Sequence, residues 1–279
     1  MSVIETRSLP SGCVQVHIKD RYQIPFFSYY IQASFPSPAE NFLERVCDVN
    51  DLCITNPDDT YLLSMNDDGL LGDRIEKGDI IIFDTRRSLV AGKLVVARLN
   101  EDTLIRQLQF VEQMKVLLPS NSAFDPIYIH SGDDFEIFGV VTFVVRSTIP
   151  DTNRRSIQEC SIEPVADLNQ RFIQNQEATY FARVGSNSML GDRIDRGDII
   201  IFDSSKIPTP KSIVVAWLNN EYALKRIGGQ KRKLALHSSN QSYQPIPVRS
   251  GDELRVVGVV TYVIQKKEVI KYDRADRRK

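Results

Sequence analysis

The chain has 279 residues, 42% of them hydrophobic and 25% charged, with a formal net charge of −1. Those values fit soluble globular protein of about two domains and exclude a global attraction to nucleic acid or anionic membrane. No apolar run approaches the roughly 20 residues that cross a bilayer.

Residues 1–47 read as an N-terminal arm. Met1 to Asp20 is polar and interrupted by charge, which predicts no secretion signal and a cytoplasmic location. Ser34-Phe35-Pro36-Ser37-Pro38 is expected to be extended, because proline fixes its own φ and biases the residue before it away from helix. Ala39 to Val46 is expected to form a short helix capped by Ser37. From Asp48 to Arg146 the apolar runs are short, β-branched and bounded by turns. Ile80–Phe83, Leu94–Ala97, Lys115–Leu118 and Phe138–Val145 read as strands, with Gly78-Asp79 and Gly132-Asp133 as turn signals. A polar linker spans 147–166, a second such region spans 167–265, and a basic tail covers 266–279. The tail reads as a solvated end, with phosphate contact as the alternative.

The second region repeats the first. Leu71-Gly72-Asp73-Arg74-Ile75 returns as Leu190-Gly191-Asp192-Arg193-Ile194, and Gly78-Asp79-Ile80-Ile81-Ile82-Phe83-Asp84 returns as Gly197-Asp198-Ile199-Ile200-Ile201-Phe202-Asp203. Long helical periodicity is absent, so each copy reads as a mostly-β domain with its strands coiled into a barrel-like sheet. Cys13, Cys47, Cys53 and Cys160 form no C-x-x-C pattern, and His17, His130 and His237 are scattered. Neither a metal site nor a cofactor is expected. Trp217 reads as core. Asp73 and Asp192 occur in both copies and read as turn or ion-pair residues. Asp67 and Asp68, facing Ser186 and Asn187, carry no evident chemistry.

The copies differ where chemistry would need them to agree. Ser188 faces Gly69 and Lys225 faces Arg106, at the constant offset of the repeat (188 − 69 = 119). A serine hydroxyl attacks only when a base takes its proton, and a lysine serves as that base only when burial keeps it neutral. Gly69 has no side chain to attack with, and Arg106 stays protonated. Both losses fall in one copy, so the second copy is expected to carry a Ser188–Lys225 dyad and the first to have lost it.

The motif Ser186-Asn187-Ser188-Met189 and the segment Glu221-Tyr222-Ala223-Leu224-Lys225-Arg226-Ile227 resemble the nucleophile turn and lysine strand of the LexA/UmuD self-cleaving domains, most closely those of the UmuD type. The resemblance covers nearly the whole chain, counted twice. It implies two coiled β-sheet domains side by side, a homodimer of that family fused end to end. Ile31-Gln32-Ala33-Ser34-Phe35-Pro36-Ser37-Pro38-Ala39 matches the family's cleavage region, which places the cut between Ala33 and Ser34; Ser34 stands where the family usually has Gly. The resemblance further implies a RecA–single-stranded DNA filament as promoter of the cut and a Y-family, UmuC-like polymerase subunit as partner. Gln23-Ile24-Pro25-Phe26-Phe27 looks like a sliding-clamp-binding peptide, with packing on a domain surface as the alternative. Besides a self-processing peptidase, two readings stay open: an accessory scaffold whose cleft only holds the arm, and a repressor, ranked last because residues before Ala33 are too few for a DNA-binding domain.

Overall fold

The computed structural model describes residues 12–31, 43–149, 165–230 and 233–267. The arm supplies β1 (Val14–Val16) and β2 (Ile24–Ile31). The first copy runs through β3 (Leu43–Cys47), helix α1 (Val49–Cys53), β4 (Thr60–Ser64), β5 (Ile80–Asp84), β6 (Leu94–Leu99), β7 (Asp102–Val111), β8 (Met114–Leu118), β9 (Ile127–Tyr128) and β10 (Phe135–Ser147). The second copy repeats it with β11 (Val165–Ala166), α2 (Leu168–Phe172), β12 (Thr179–Val184), β13 (Ile199–Asp203), β14 (Ile213–Leu218), β15 (Glu221–Gln230), β16 (Lys233–His237), β17 (Ile246–Pro247) and β18 (Leu254–Lys266). The expected mostly-β class is what the sequence builds, and all described strands join one hydrogen-bonded sheet.

Each copy coils because its longest strand changes partners midway. β10 pairs with β6 through Val140 and with β5 from Val140 to Val145, with bulges between Ile137 and Gly139 and between Val141 and Phe143. A bulge inserts an unpaired residue and sharpens the local twist. Gly139 sits at the tightest point, where a Cβ would lie 2.6 Å from the Asp84 carbonyl oxygen. Gly258 repeats this in β18, its added Cβ lying 2.8 Å from Phe202 Cδ2.

The copies meet along the same two long strands. β10 and β18 pair antiparallel from Phe143↔Lys266 to Ser147↔Tyr262, and the ladder is extended by Thr148 N–H to Thr261 O (2.9 Å) and Lys267 N–H to Thr142 O (2.8 Å). Those two bonds exchange under the repeat offset, so the copies relate by a pseudo-two-fold axis. Ion pairs flank it. Arg193 holds Glu76 and Asp79, both at 2.9 Å, and Arg74 holds Asp195. The two helices also face each other here. Asp48 and Asp51 form a reciprocal capping box on α1. Asp167 caps α2 by accepting from Asn169 N–H (2.7 Å), and Asn169 Nδ2 donates across to Asp48 (3.0 Å).

The arm is woven into both copies. β1 lies antiparallel to β4 and parallel to β11, while β2 lies parallel to β12 and antiparallel to β3. Each arm strand thus closes an edge that would otherwise expose unpaired backbone groups. Val16, Ile24 and Phe26 enter the core between the copies, alongside Leu62, Phe172, Phe181 and Ile264. The helix expected over Ala39–Val46 does not form where the chain is described. Residues 43–47 are β3, because Ile24↔Cys47 and Pro25↔Val46 pairing with a strand twenty residues upstream outweighs local propensity. The helix starts later, at Val49, where the Asp48 cap lies.

Phe26 is fully buried at the centre of this arrangement. Phe26→Ala is expected to lower the free energy of unfolding by about 3–5 kcal/mol in denaturant titration, with both copies unfolding in one transition.

Candidate active site

β12 ends at Val184 and the chain enters a tight turn, Gly185 to Met189. Val184 holds the turn's base by exchanging backbone bonds with Asp198 and Gly197, both at 2.8 Å. Met189 is fully buried and anchors the far end, followed by a 3-10 turn at Leu190–Asp192. The segment after β16 clamps the turn from the side. Asn240 N–H donates to Ser188 O (3.1 Å), and Asn240 Nδ2 donates to Asn187 O (2.8 Å). Asn187 Oδ1 in turn accepts from Arg196 N–H (3.0 Å). Ser188 is left with its carbonyl fixed and its hydroxyl 3.2 Å from Ser186 Oγ.

Lys225 lies on β15, opposite Val214 of β14. Ser188 is 2% exposed and Lys225 4%, so both polar side chains are withdrawn from water. Burial alone pulls the Lys225 ammonium down to about 8. The Tyr243 ring covers it, with Nζ 5.5 Å from the ring centroid. The neighbouring Arg226 turns away and is paired with Asp192 instead, Nε to Oδ2 at 2.9 Å. A buried serine, and a lysine whose proton is loosened by burial, are the residue types that general-base activation needs.

The first copy shows how closely the two positions approach. A Cβ on Gly69 would lie 2.5 Å from Arg106 Cζ and 2.6 Å from both terminal nitrogens. Positions 69 and 106 therefore share one space. The second copy repeats the frame: Val95↔Arg106 becomes Val214↔Lys225, and Asn121 N–H to Gly69 O (3.1 Å) becomes Asn240 N–H to Ser188 O. In the first copy that space is plugged. Arg106 makes a bidentate pair with Asp67 (3.1 and 2.9 Å) and lies 5.3 Å over the Phe124 ring, the counterpart of Tyr243. Asp67 has a role that its sequence position did not reveal: it is the counterion of a buried guanidinium.

Other expectations resolve as follows. Trp217 is in the core of β14, with Arg255 stacked 4.6 Å from its ring. Asp192 is an ion-pair residue, and Asp73 lies in the matching turn of the first copy. Ala33 and Ser34 lie outside the described residues, as does the tail beyond Lys267. The segment Gln23-Ile24-Pro25-Phe26-Phe27 lies at the start of β2 and just before it. Ile24 and Phe26 are fully buried, and Phe27 packs 6.2 Å from the Tyr180 ring.

Residues 25–142 and 151–261 each match the family model described as Peptidase S24-like. The chain is 31% identical to Protein MucA of Salmonella typhimurium over 133 residues, which are 47% of this chain and 87% of that protein. It is 30% identical to Protein SamA of Salmonella typhimurium strain LT2 over 124 residues, 44% of this chain and 86% of that one. The LexA repressor of Syntrophotalea carbinolica is 37% identical over 111 residues, 40% of this chain and 54% of the repressor. Each such protein accounts for about half of this chain, as a single copy would.

The shared space at positions 69 and 106 generates a stability test. Gly69→Ser is expected to cost about 1–3 kcal/mol in thermal or denaturant unfolding, because the new side chain meets a paired guanidinium. Adding Arg106→Lys to that variant is expected to recover part of the loss.

Proposed function

Because the chain belongs to the Peptidase S24-like family through both of its copies, we propose that it is a self-cleaving serine peptidase of the DNA-damage (SOS) response. It cuts its own Ala33–Ser34 bond at Ser188, with Lys225 as the base, and so regulates error-prone translesion synthesis. The observation that carries this reading is the direction of β2. It runs parallel to β12, with Phe26 opposite Phe181 and Ile31 opposite Val184. Val184 is the last strand residue before the Ser188 turn, and Ile31 is two residues before Ala33. A strand paired in the other direction would carry the arm away from that turn.

The chemistry follows from the side chains. Neutral Lys225 takes the hydroxyl proton as Ser188 Oγ adds to the Ala33 carbonyl carbon. The Ser188 N–H, whose contact with Ser186 Oγ is a long 3.5 Å, is free to turn to the resulting oxyanion. Collapse breaks the C–N bond, and Lys225 returns the proton to the Ser34 nitrogen. Water then hydrolyses the Ser188 ester, leaving the Ala33 carboxylate. The first copy contributes the substrate and keeps its own site filled by Arg106 and Asp67. The family reading adds a RecA–single-stranded DNA filament as the promoter of the cut and a Y-family, UmuC-like polymerase subunit as the partner of the product. An accessory scaffold without chemistry is the competing reading, and the absence of any shortened product would favour it.

Two measurements test this. Intact-mass analysis under denaturing conditions after alkaline incubation is expected to show two pieces, residues 1–33 and 34–279, from the wild type and one whole chain from Ser188→Ala; cutting in the variant would refute the assignment. The pH profile gives the second. Burial lowers the Lys225 pKa from 10.5 to about 8, so the neutral, competent fraction grows as pH rises through 8. The cleavage rate is expected to reach half its plateau near pH 8; a midpoint near that of a solvated lysine, about 10.4, would remove Lys225 from the role.

A further inference from the structure

Resting on the proposed cut at Ala33–Ser34, we infer that cleavage nicks this protein without releasing its N-terminal piece: the body of the chain is itself the binding surface for residues 1–33. The last strand pair of the arm is Ile31↔Val184, upstream of the scissile bond. The cut therefore severs none of the ladders that β1 and β2 make with β4, β11, β12 and β3. Val16, Ile24 and Phe26, each no more than 2% exposed, stay inserted between the copies. The stretch between the two strands is held as well. Asp167 accepts from Lys19 N–H (2.7 Å), Asp48 accepts from Tyr22 N–H (3.3 Å), and Asn169 Nδ2 donates to Asp20 O (2.9 Å).

Loss of the piece would strip two sheet edges of their partners and open the core between the copies. Apolar burial and strand pairing outlast removal of one covalent link that lies outside both. Ile24 and Phe26 stay buried before and after.

The test separates retention from chemistry by using two cuts. In the first, wild-type protein is driven to full self-cleavage and analysed by denaturing and by native mass spectrometry. In the second, a recognition site for an exogenous protease replaces residues 36–40 in the Ser188→Ala chain, which is then cut by that protease. Denaturing conditions are expected to show two pieces in both samples. Native spectra and size exclusion are expected to show one particle with the mass of the intact chain plus one water, unchanged in 1 M salt because the contact is largely apolar. Loss of the N-terminal piece from either nicked sample on size exclusion would overturn the inference. A wild type that stays whole under denaturing conditions would count against self-cleavage alone, since the exogenous cut still reads retention. As a control on the cause, Phe26→Ala in the protease-site chain is expected to release at least tenfold more of the piece after cutting than its parent does.

Discussion

The parallel pairing of β2 with β12 is the constraint on which the rest of the structure depends. It completes the edge of the second copy, and through β3 on its other side it ties that copy to the first. It puts Ile24 and Phe26 into the core between the copies. It also fixes where the arm points. In an antiparallel pair the C-terminal end of β2 would leave at the Thr179 end of β12, away from the Ser188 turn. Parallel pairing is intrinsically no stronger than antiparallel. Its direction is set by the path of the arm, which first seals the other copy through β1 and is then pinned by the caps of α1 and α2 on its way to β2.

A fused pair of copies frees each half from the need to do everything. Two identical subunits must each keep an arm, a nucleophile and a base. Here Ser and Lys stand together at these positions only in the second copy, whose β12 pairs with the arm strand β2. The other site has been converted into packing. Arg106 and Asp67 neutralise one another where the second copy has Lys225, and Gly69 yields the space that the guanidinium fills. The same burial has opposite consequences in the two copies. A guanidinium keeps its charge and needs a counterion, whereas an ammonium gives up its proton. The aromatic cover, Phe124 in one and Tyr243 in the other, serves both.

The strands within each copy were legible because they rest on local signals: β-branched runs of four to eight residues, turn glycines, and the confirmation that a repeat provides. Positions 188 and 225 stood out for a different reason, since the two copies act as each other's control. What local sequence does not carry is pairing between distant segments. Residues 43–47 resembled the end of a helix because their ladder partner lies in the arm. Ile24, Phe26 and Phe27 read equally as a clamp peptide or as packing on a domain surface, and their strand partners in 43–47 and 179–184 lie outside any local window. Asp67 looked inert because its counterion is 39 residues away. In each case the structural partner lies beyond the reach of a local pattern.

The most direct test of the account is whether the cut is made within one chain. The rate of self-cleavage should be measured over a hundredfold range of protein concentration, and again with a tagged Ser188→Ala chain mixed into active protein. A first-order rate that does not depend on concentration, with the tagged chain left whole, is the result predicted by an arm delivered along β12. A rate that rises with concentration, or cutting of the tagged chain by its neighbours, would contradict it.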